Sequence, residues 1–209
     1  MSFRIIRTDS DVTEGLQWLA ERDHRFEALF RATGPLPLRR RAGGFASLLN
    51  AVVAQQVSTA AAAAIWQRLE VAGLATVSGI MAVPDEALRQ CGLSRPKVIY
   101  ARALAESGID YDALEILPDA EVIKTLVAVK GIGRWTAEIY AMFSLGRADV
   151  FAAGDLALQE SARHLFSLNA RPDEKALRAM AEAWSPWRGV AARALWAYYR
   201  VIKNREGSI

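Results

Sequence analysis

Two glycines separated by one residue precede an apolar helical pattern near residue 130. Gly131 and Gly133 flank Ile132, and the following pattern opens with Arg134 and Trp135. Glycine tolerates positive φ and lets another backbone approach closely. A turn this tight leaves the first amides of the next helix facing outward, where they and the helix dipole can bind an anion. Phosphate binding is therefore one interpretation, and a plain helix–helix turn is the simpler one on spacing alone.

A second residue with chemical potential is Asp155, which follows Phe-Ala-Ala-Gly and directly precedes an apolar helical pattern. This position predicts a helix N-cap, in which the carboxylate accepts hydrogen bonds from the first amides of the helix. The same amides would stabilise its negative charge. Gly154 leaves room for another group to approach. Without a further argument, the N-cap is a sufficient explanation of Asp155.

Helices must position both features, because helical periodicity dominates the chain and strand alternation is nearly absent. The residues FRIIR near the start form the only strand-like stretch. Asp11 and Glu14 predict a capping box for a first helix that begins at Asp11. Ser58 predicts the cap of an Ala-rich helix. About ten helices with short links predict an all-α bundle.

Breaks rich in Pro and Gly near 34–37 and 146–154 predict how this bundle is divided. We expect one domain over 1–209, with two approximate lobes. One lobe is 36–145, which includes a hairpin at 127–136, and the other is 1–35 with 146–209.

The composition limits the function classes. One cysteine, Cys91, cannot form an internal disulfide or a thiolate metal site, and the two histidines lie far apart in sequence. We therefore predict no iron–sulfur cluster. No apolar run is long enough to span a bilayer, and the N-terminus lacks a signal-peptide pattern, so we expect a cytoplasmic protein and no membrane partner. The net charge of +3 is compatible with a nucleic-acid partner without requiring one.

Several longer segments, in combination and in order, resemble the helix-hairpin-helix (HhH-GPD) base excision DNA glycosylases. LVAVKGIGRWTAEIYA (126–141) and VFAAGDLAL (150–158) resemble the hairpin and the segment that follows it. The likeness is greatest to the alkylation-repair branch, 3-methyladenine DNA glycosylase II. Further matching segments are AVVAQQVSTAAA (51–62), GLSRPK (92–97) and WSPWRGVAA (184–192).

The resemblance extends from about Phe26 to Tyr199, with two departures. Some members carry an extra β-rich N-terminal domain, which the residues before Phe26 are too few to encode. Iron–sulfur relatives end in a four-cysteine loop, which this sequence lacks. We therefore expect the glycosylase domain alone.

The resemblance implies a DNA-binding cleft between two lobes and a catalytic role for Asp155. Breaking an N-glycosidic bond builds positive charge on the deoxyribose, which a carboxylate can stabilise while it orients or deprotonates the attacking water. Bifunctional relatives have a nucleophilic lysine where this chain has Trp135. The resemblance thus implies a monofunctional glycosylase without lyase activity.

It also implies an aromatic base pocket. Trp135 would attract a cationic N-alkylated purine such as 3-methyladenine or 7-methylguanine by stacking and cation–π interaction. Trp196 corresponds to a second aromatic residue beside the aspartate. Ile139 stands where a well-studied branch has tyrosine. We interpret Trp184 and Trp187 as packing residues.

Damaged double-stranded DNA is the implied partner, and the target base must leave the stack. The turn at Gln55 and Gln56 would supply the wedge in the minor groove, with Gln56 preferred, although Gln55 fits a helix-terminal turn residue almost equally well. The phosphate contacts implied are the amides of Gly131, Gly133 and Thr136, with Arg134 and Lys97 as additional basic contacts.

In relatives the hairpin carbonyls bind an alkali cation. The matching carbonyls here belong to Val127, Val129 and Ile132, which predicts a possible Na⁺ or K⁺ site and no other cofactor. We expect a monomer, because one pair of lobes suffices for one lesion.

Two alternatives remain open from the sequence. One is a glycosylase for deaminated or mismatched bases. The other is a non-catalytic DNA-binding module that uses only the hairpin.

Overall fold

A computed structural model of the chain describes residues 3–206. The described residues form α-helices and one short 3-10 helix, Glu182–Trp184, so the predicted all-α fold is confirmed. No helix within these residues has both the length and the apolar character needed to cross a membrane. The α-helices are α1 Asp9–Arg22, α2 His24–Thr33, α3 Phe45–Ala54, α4 Thr59–Val71, α5 Val77–Ala82, α6 Asp85–Gln90, α7 Arg95–Glu106, α8 Tyr111–Ile116, α9 Asp119–Val127, α10 Arg134–Phe143, α11 Leu156–Leu165, α12 Glu174–Ala181 and α13 Arg188–Glu206.

The chain divides into two compact units. One unit, Arg41–Tyr140, contains the hairpin and is called the hairpin unit. The other consists of the described residues up to Arg40 and from Ala141, and is called the Asp155 unit.

In the hairpin unit α7 is the central helix, packing against α3, α5 and α6, while α4 packs on α3. Most of the buried side chains are aliphatic, as the apolar helical periodicity requires. Ser58 caps α4 as predicted, with its hydroxyl accepting the Ala61 N–H at 3.2 Å. The core of this unit includes Leu48, Leu49, Val52, Val53, Leu69, Ile80, Leu88, Val98, Leu104, Val122 and Leu126.

In the Asp155 unit α13 packs against α1, α2 and α11. Gly15 lets α1 pack closely against the start of α13, because a Cβ at Gly15 would lie 2.6 Å from Trp187 Cε3. Trp184 and Trp187 are both buried, so their interpretation as packing residues is confirmed. Trp184 stacks on Phe166 with a centroid separation of 5.7 Å and makes edge contacts with Phe26 and Phe151.

Two details of the predicted elements were wrong, and the strand-like stretch has only a minor role. Helix α1 begins at Asp9, and its capping box pairs Thr8 with Asp11, not Asp11 with Glu14. The sequence pattern missed α5 and α8, since a helix of six residues has fewer than two turns and cannot show a repeated apolar period. The FRIIR stretch makes one isolated antiparallel bridge, between Ile5 and Arg147, and no named strand among the described residues.

Candidate active site

Asp155 is the N-cap of α11, as the sequence predicts. Its Oδ1 accepts the backbone N–H groups of Ala157 at 2.9 Å and Leu158 at 3.1 Å. The indole Nε1 of Trp196 donates to the same oxygen at 3.1 Å. Three donors converge on one carboxylate oxygen, and such hydrogen bonds fix the position of the carboxylate.

Helix α13 carries Trp196, and α11 and α13 pack extensively, so the indole is held beside Asp155 by the fold itself. The Trp196 ring also lies against Phe143, with centroids 5.7 Å apart. Both aromatic residue and carboxylate belong to the Asp155 unit. The sequence placed Trp196 near the aspartate by resemblance alone, and the two side chains are in direct contact.

The loop that leads to Asp155 is held by polar contacts that sequence reasoning missed. Arg188 binds Asp149 through Nε to Oδ1 and Nη2 to Oδ2, both at 2.9 Å, in a bidentate pair. Ser185 Oγ donates to Asp149 Oδ2 at 2.8 Å, and Gln159 Nε2 donates to Ala153 O at 3.0 Å. In the WSPWR segment, the two tryptophans are thus packing residues. Ser185 and Arg188 fix the loop before Asp155 through Asp149.

A second missed residue is Arg193, which is buried on α13. Its Nη1 donates to Gly189 O at 2.8 Å and its Nη2 to Met142 O at 3.3 Å, while its guanidinium lies 4.8 Å from the centroid of the Phe143 ring. Burial lowers the pKa of Arg193 to about 10. Nothing local in the sequence distinguishes this arginine from an exposed one, because Met142 and Phe143, which it also contacts, are distant in the chain.

Gly154 has a neighbour within the protein. A Cβ at this position would lie 3.2 Å from Glu174 Oε2, a close contact with a flexible side chain. The expected room for a sugar is therefore partly bounded by this carboxylate.

In the hairpin unit the two glycines have different surroundings. Gly131 has φ +92°, and a Cβ there would collide with the ring of Tyr100. Gly133 has no such contact, since a Cβ there would meet no described atom within 4 Å. Ile132 between them is buried, as the plug of a tight turn. Gly131 is therefore required by the fold, whereas the space at Gly133 can admit another molecule.

Helix α10 begins directly after the hairpin and carries four of the predicted site residues. Trp135, in its first turn, is 44% exposed, whereas Thr136 is buried and Ile139 is half-buried. Arg134 is exposed, and its Nε donates to the buried Glu138 carboxylate at 2.9 Å. The first helix amides have no partner within α10, as at any helix N-terminus.

The α3–α4 turn holds the two predicted wedge residues. Gln56 is exposed and has φ +54°, an uncommon value for a residue other than glycine. Gln55 is half-buried, and its Nε2 donates to Gly131 O at 3.0 Å. The two glutamines thus have different environments.

The predicted role of Lys97 as a basic contact to DNA phosphate is wrong. Its side chain is buried, with the residue only 8% exposed, and Nζ donates to Val53 O at 2.7 Å. Burial lowers the pKa of this ammonium group. An amine committed to a carbonyl inside the protein is not an exposed DNA contact.

The model of the HhH-GPD superfamily of base excision DNA repair proteins matches residues 49–187. That span contains the α3–α4 turn, the hairpin, Asp155 and most of the WSPWR segment. The chain belongs to this superfamily.

Individual relatives cover most of the chain. DNA-3-methyladenine glycosylase 1 from Schizosaccharomyces pombe is 34% identical over 161 residues, covering 73% of this chain and 71% of that protein. The crystal structure of a DNA-3-methyladenine glycosidase from Bacillus halodurans superposes with a TM-score of 0.81 at 35% identity, covering 98% of this chain and 95% of the other. The S. pombe 3-methyladenine DNA glycosylase Mag1 in complex with abasic DNA gives a TM-score of 0.77 at 30% identity, covering 88% and 95%.

Membership of the HhH-GPD superfamily accounts for the order of the site segments along the chain. The structure brings Asp155 and Trp196 together in the Asp155 unit. It brings Gln55 to the hairpin in the hairpin unit, where Gln56, Trp135, Ile139 and Thr136 also lie.

Proposed function

We propose that this protein is a monofunctional DNA glycosylase of base excision repair that hydrolyses the N-glycosidic bond of alkylated purines such as 3-methyladenine and 7-methylguanine. The observation that carries the proposal is the Asp155 carboxylate, held by two helix amides and the Trp196 indole. The names of the relatives that cover most of the chain support the same substrate class.

The chemistry suits a fixed carboxylate. As the bond from C1′ to the purine nitrogen breaks, the base leaves with the bonding electrons and positive charge develops on the deoxyribose. Asp155 stabilises this cation, and preorganised charge costs no reorganisation during reaction. Water adds to C1′ and loses a proton, for which Asp155 is the acceptor. An alkylated purine is already cationic, so it departs as a neutral base.

Trp135 supports both the substrate class and the absence of a lyase step. An exposed indole in the first turn of α10 offers an electron-rich face to a cationic purine. The side chain has no amine, so it cannot form the Schiff base by which a lysine opens the sugar. Trp196 and Ile139 are the other residues that we propose for base recognition, and Gln56 is the proposed wedge.

The hairpin would hold the DNA backbone. We propose that the amides of Gly131, Gly133 and Thr136 bind one phosphate, with Arg134 as an additional contact. The open space at Gly133 favours this assignment, because a phosphate needs close access to the amides. Double-stranded DNA is thus the proposed partner, and the solved relative in complex with abasic DNA agrees with it.

Oxygen ligands suit hard cations, and we propose that the hairpin carbonyls bind Na⁺ or K⁺, which would add positive charge near the bound phosphate. The carbonyl oxygen of Val129 accepts the Ile132 N–H at 3.0 Å, which uses one of its two lone pairs. Val127, Val129 and Ile132 would be the ligands. DNA affinity should be higher in K⁺ than in tetramethylammonium at equal ionic strength, and equal affinities would count against the site.

We also propose that the protein acts as a monomer. Light scattering should give the mass of one chain, 22.9 kDa, for the free protein. The complex with DNA should give the same protein mass after the mass of the DNA is subtracted. Twice that mass would contradict this part of the proposal.

The deciding experiment measures base release from duplexes that contain 7-methylguanine or 3-methyladenine, for wild type and Asp155→Asn, with and without hot alkali. We expect wild type to release the base, Asp155→Asn to release almost none, and strands to break only after alkali. Breaks without alkali would refute the monofunctional assignment.

Parallel duplexes test the alternatives. Preferential release of uracil, hypoxanthine or mispaired adenine would replace the alkylated-purine assignment with another lesion class. DNA binding without release of any base would leave a binding module.

A further inference from the structure

The α3–α4 turn is tied to the hairpin by a direct hydrogen bond. Gln55 Nε2 donates to the carbonyl of Gly131 at 3.0 Å, across 76 residues of sequence. Gln55 is also the C-cap residue of α3, with an extended backbone, φ −60° and ψ 131°. Its side chain is therefore occupied within the protein, while the adjacent Gln56 remains exposed.

A second bond fixes the other side of the same turn. Lys97 Nζ donates to Val53 O at 2.7 Å, in the last turn of α3. A cationic donor at a helix C-terminus satisfies an orphan carbonyl and complements the helix dipole. Buried charges are costly, so such a residue persists only where its hydrogen bond is needed.

Helix α7 also contacts the hairpin. Tyr100 lies three residues after Lys97, so the two side chains share one face of α7. The Tyr100 ring occupies the space that a Cβ on Gly131 would need, and Gly131 has φ +92°. One face of α7 thus holds the end of α3 through Lys97 and the hairpin through Tyr100.

We propose that Gln55, Lys97 and Tyr100 are positioning residues that hold the α3–α4 turn, and with it Gln56, at a fixed distance from the phosphate-binding hairpin. The set is called the turn brace. The proposal rests on the proposed function, because it gives Gln56 a base step to act on. A phosphate contact positions a protein without reading sequence. Through the turn brace, the phosphate held by the hairpin selects the base step that Gln56 enters.

The backbone of Gln56 explains why a brace is required. A non-glycine residue with φ +54° is held in a sparsely populated conformation that persists only when its surroundings fix it. Without the bonds on either side, the turn would relax and Gln56 would lose its defined orientation. Gln55 is accordingly a positioning residue, and not a second wedge.

The test combines Gln55→Met with Gln56→Ala. Methionine keeps the length and volume of glutamine but cannot donate to Gly131 O. Gln67→Met is the matched control, since Gln67 is an exposed glutamine on α4. All variants also carry Asp155→Asn for the binding measurements. The probe is a duplex with a tetrahydrofuran abasic site and 2-aminopurine at the adjacent base step, whose fluorescence reports local unstacking at saturating protein.

We expect Gln55→Met to reduce the fluorescence response by roughly three- to tenfold, the effect of one hydrogen bond. In the Gln56→Ala background the same change should have no further effect, because the turn brace acts through Gln56. The affinity of Gln55→Met for undamaged duplex should stay within about twofold of wild type. The fluorescence response of the control Gln67→Met should also stay within about twofold of wild type. Lys97→Met is the second variant, and it should reduce the fluorescence response as Gln55→Met does.

Three results would overturn the proposal: an unchanged response in Gln55→Met, an equal reduction by Gln55→Met with and without Gln56, or no difference between wild type and Gln56→Ala. Thermal midpoints within roughly 5 °C of wild type establish that the variants fold. The fluorescence measurement needs no base release. Failure of excision on alkylated purines would therefore refute the proposed function while leaving this test intact.

Discussion

The Asp155 site and the hairpin place their chemistry on different atoms. At Asp155 a side chain carries the charge, and the backbone supplies two of its hydrogen bonds. At the hairpin the backbone amides would bind the ligand, and the residues serve to shape the turn. A side-chain site can be removed by an isosteric change that leaves the fold intact. A backbone site can be blocked only by adding atoms, so its residues must be separated into those that shape it and those that leave it open.

The largest expected effect is that of Asp155→Asn on catalysis. We expect the single-turnover rate of 7-methylguanine release to fall by about 10²- to 10³-fold, the usual cost of removing a preorganised charge-stabilising group. Stability should change by less than about 1 kcal/mol, because asparagine is as good an N-cap as aspartate. Asp173→Asn is the control, since Asp173 caps α12 by accepting the Ala176 N–H at 2.7 Å. A retained rate in Asp155→Asn would remove Asp155 from the chemistry.

The second prediction compares alanine at the two hairpin glycines. Gly131→Ala should lower the free energy of unfolding by about 2–4 kcal/mol, from overpacking against Tyr100 and from positive φ. Gly133→Ala should change it by less than about 1 kcal/mol. Denaturant unfolding measures both. Equal losses would mean that the different surroundings of the two glycines do not matter.

A smaller effect is expected for Trp196→Phe. Phenylalanine keeps a ring beside Phe143 but cannot donate to Asp155 Oδ1. Loss of that bond should reduce the rate of base release by roughly three- to tenfold. Trp18→Phe, on α1 in the same unit, serves as the control for the loss of an indole. An unchanged rate in Trp196→Phe would show that the two amides of α11 suffice to hold the carboxylate.

The smallest effect concerns the pH dependence that Lys97 contributes to the hairpin unit. Burial lowers its pKa below the ordinary value of 10.5. Between the lowered pKa of Lys97 in the folded chain and 10.5 in the unfolded chain, the unfolded chain holds a proton that the folded chain has released. The stability of wild type relative to Lys97→Met therefore rises with pH. The slope cannot exceed about 1.4 kcal/mol per pH unit.

Unfolding of both proteins in urea from pH 7 to 10 measures this difference. Lys124→Met is the control for the loss of an amine, because the Lys124 side chain is largely exposed. A difference that is flat or that falls with pH would contradict the burial of the ammonium group.

What could be predicted from the sequence follows the same division. The caps at Ser58 and Asp155 depend on neighbours two or three residues away, so the local pattern was sufficient. Lys97 was predicted to contact DNA, and Gln55 was left open between a wedge and a turn residue. Their hydrogen-bond partners lie 44 and 76 residues away. No local pattern encodes such contacts. The same reason explains Arg193, whose partner Met142 lies 51 residues earlier.

The hairpin glycines show a second limit of prediction from the sequence. Two glycines with one residue between them predict a tight turn, but only the structure shows that one is required by Tyr100 and that the other is not. The identity of the residue in both positions is the same, so the difference lies entirely in what surrounds it.

The most direct test of the account measures the rate of base release and the DNA affinity together, on one duplex with 7-methylguanine, for Asp155→Asn and Gly133→Ala. The two variants should lose different properties. Asp155→Asn should retain affinity and lose the rate at saturation, whereas Gly133→Ala should bind at least about tenfold more weakly and recover most of the rate at saturation. If Gly133→Ala bound normally, or if both variants lost rate and affinity alike, the separation of catalysis at Asp155 from phosphate binding at the hairpin would be contradicted.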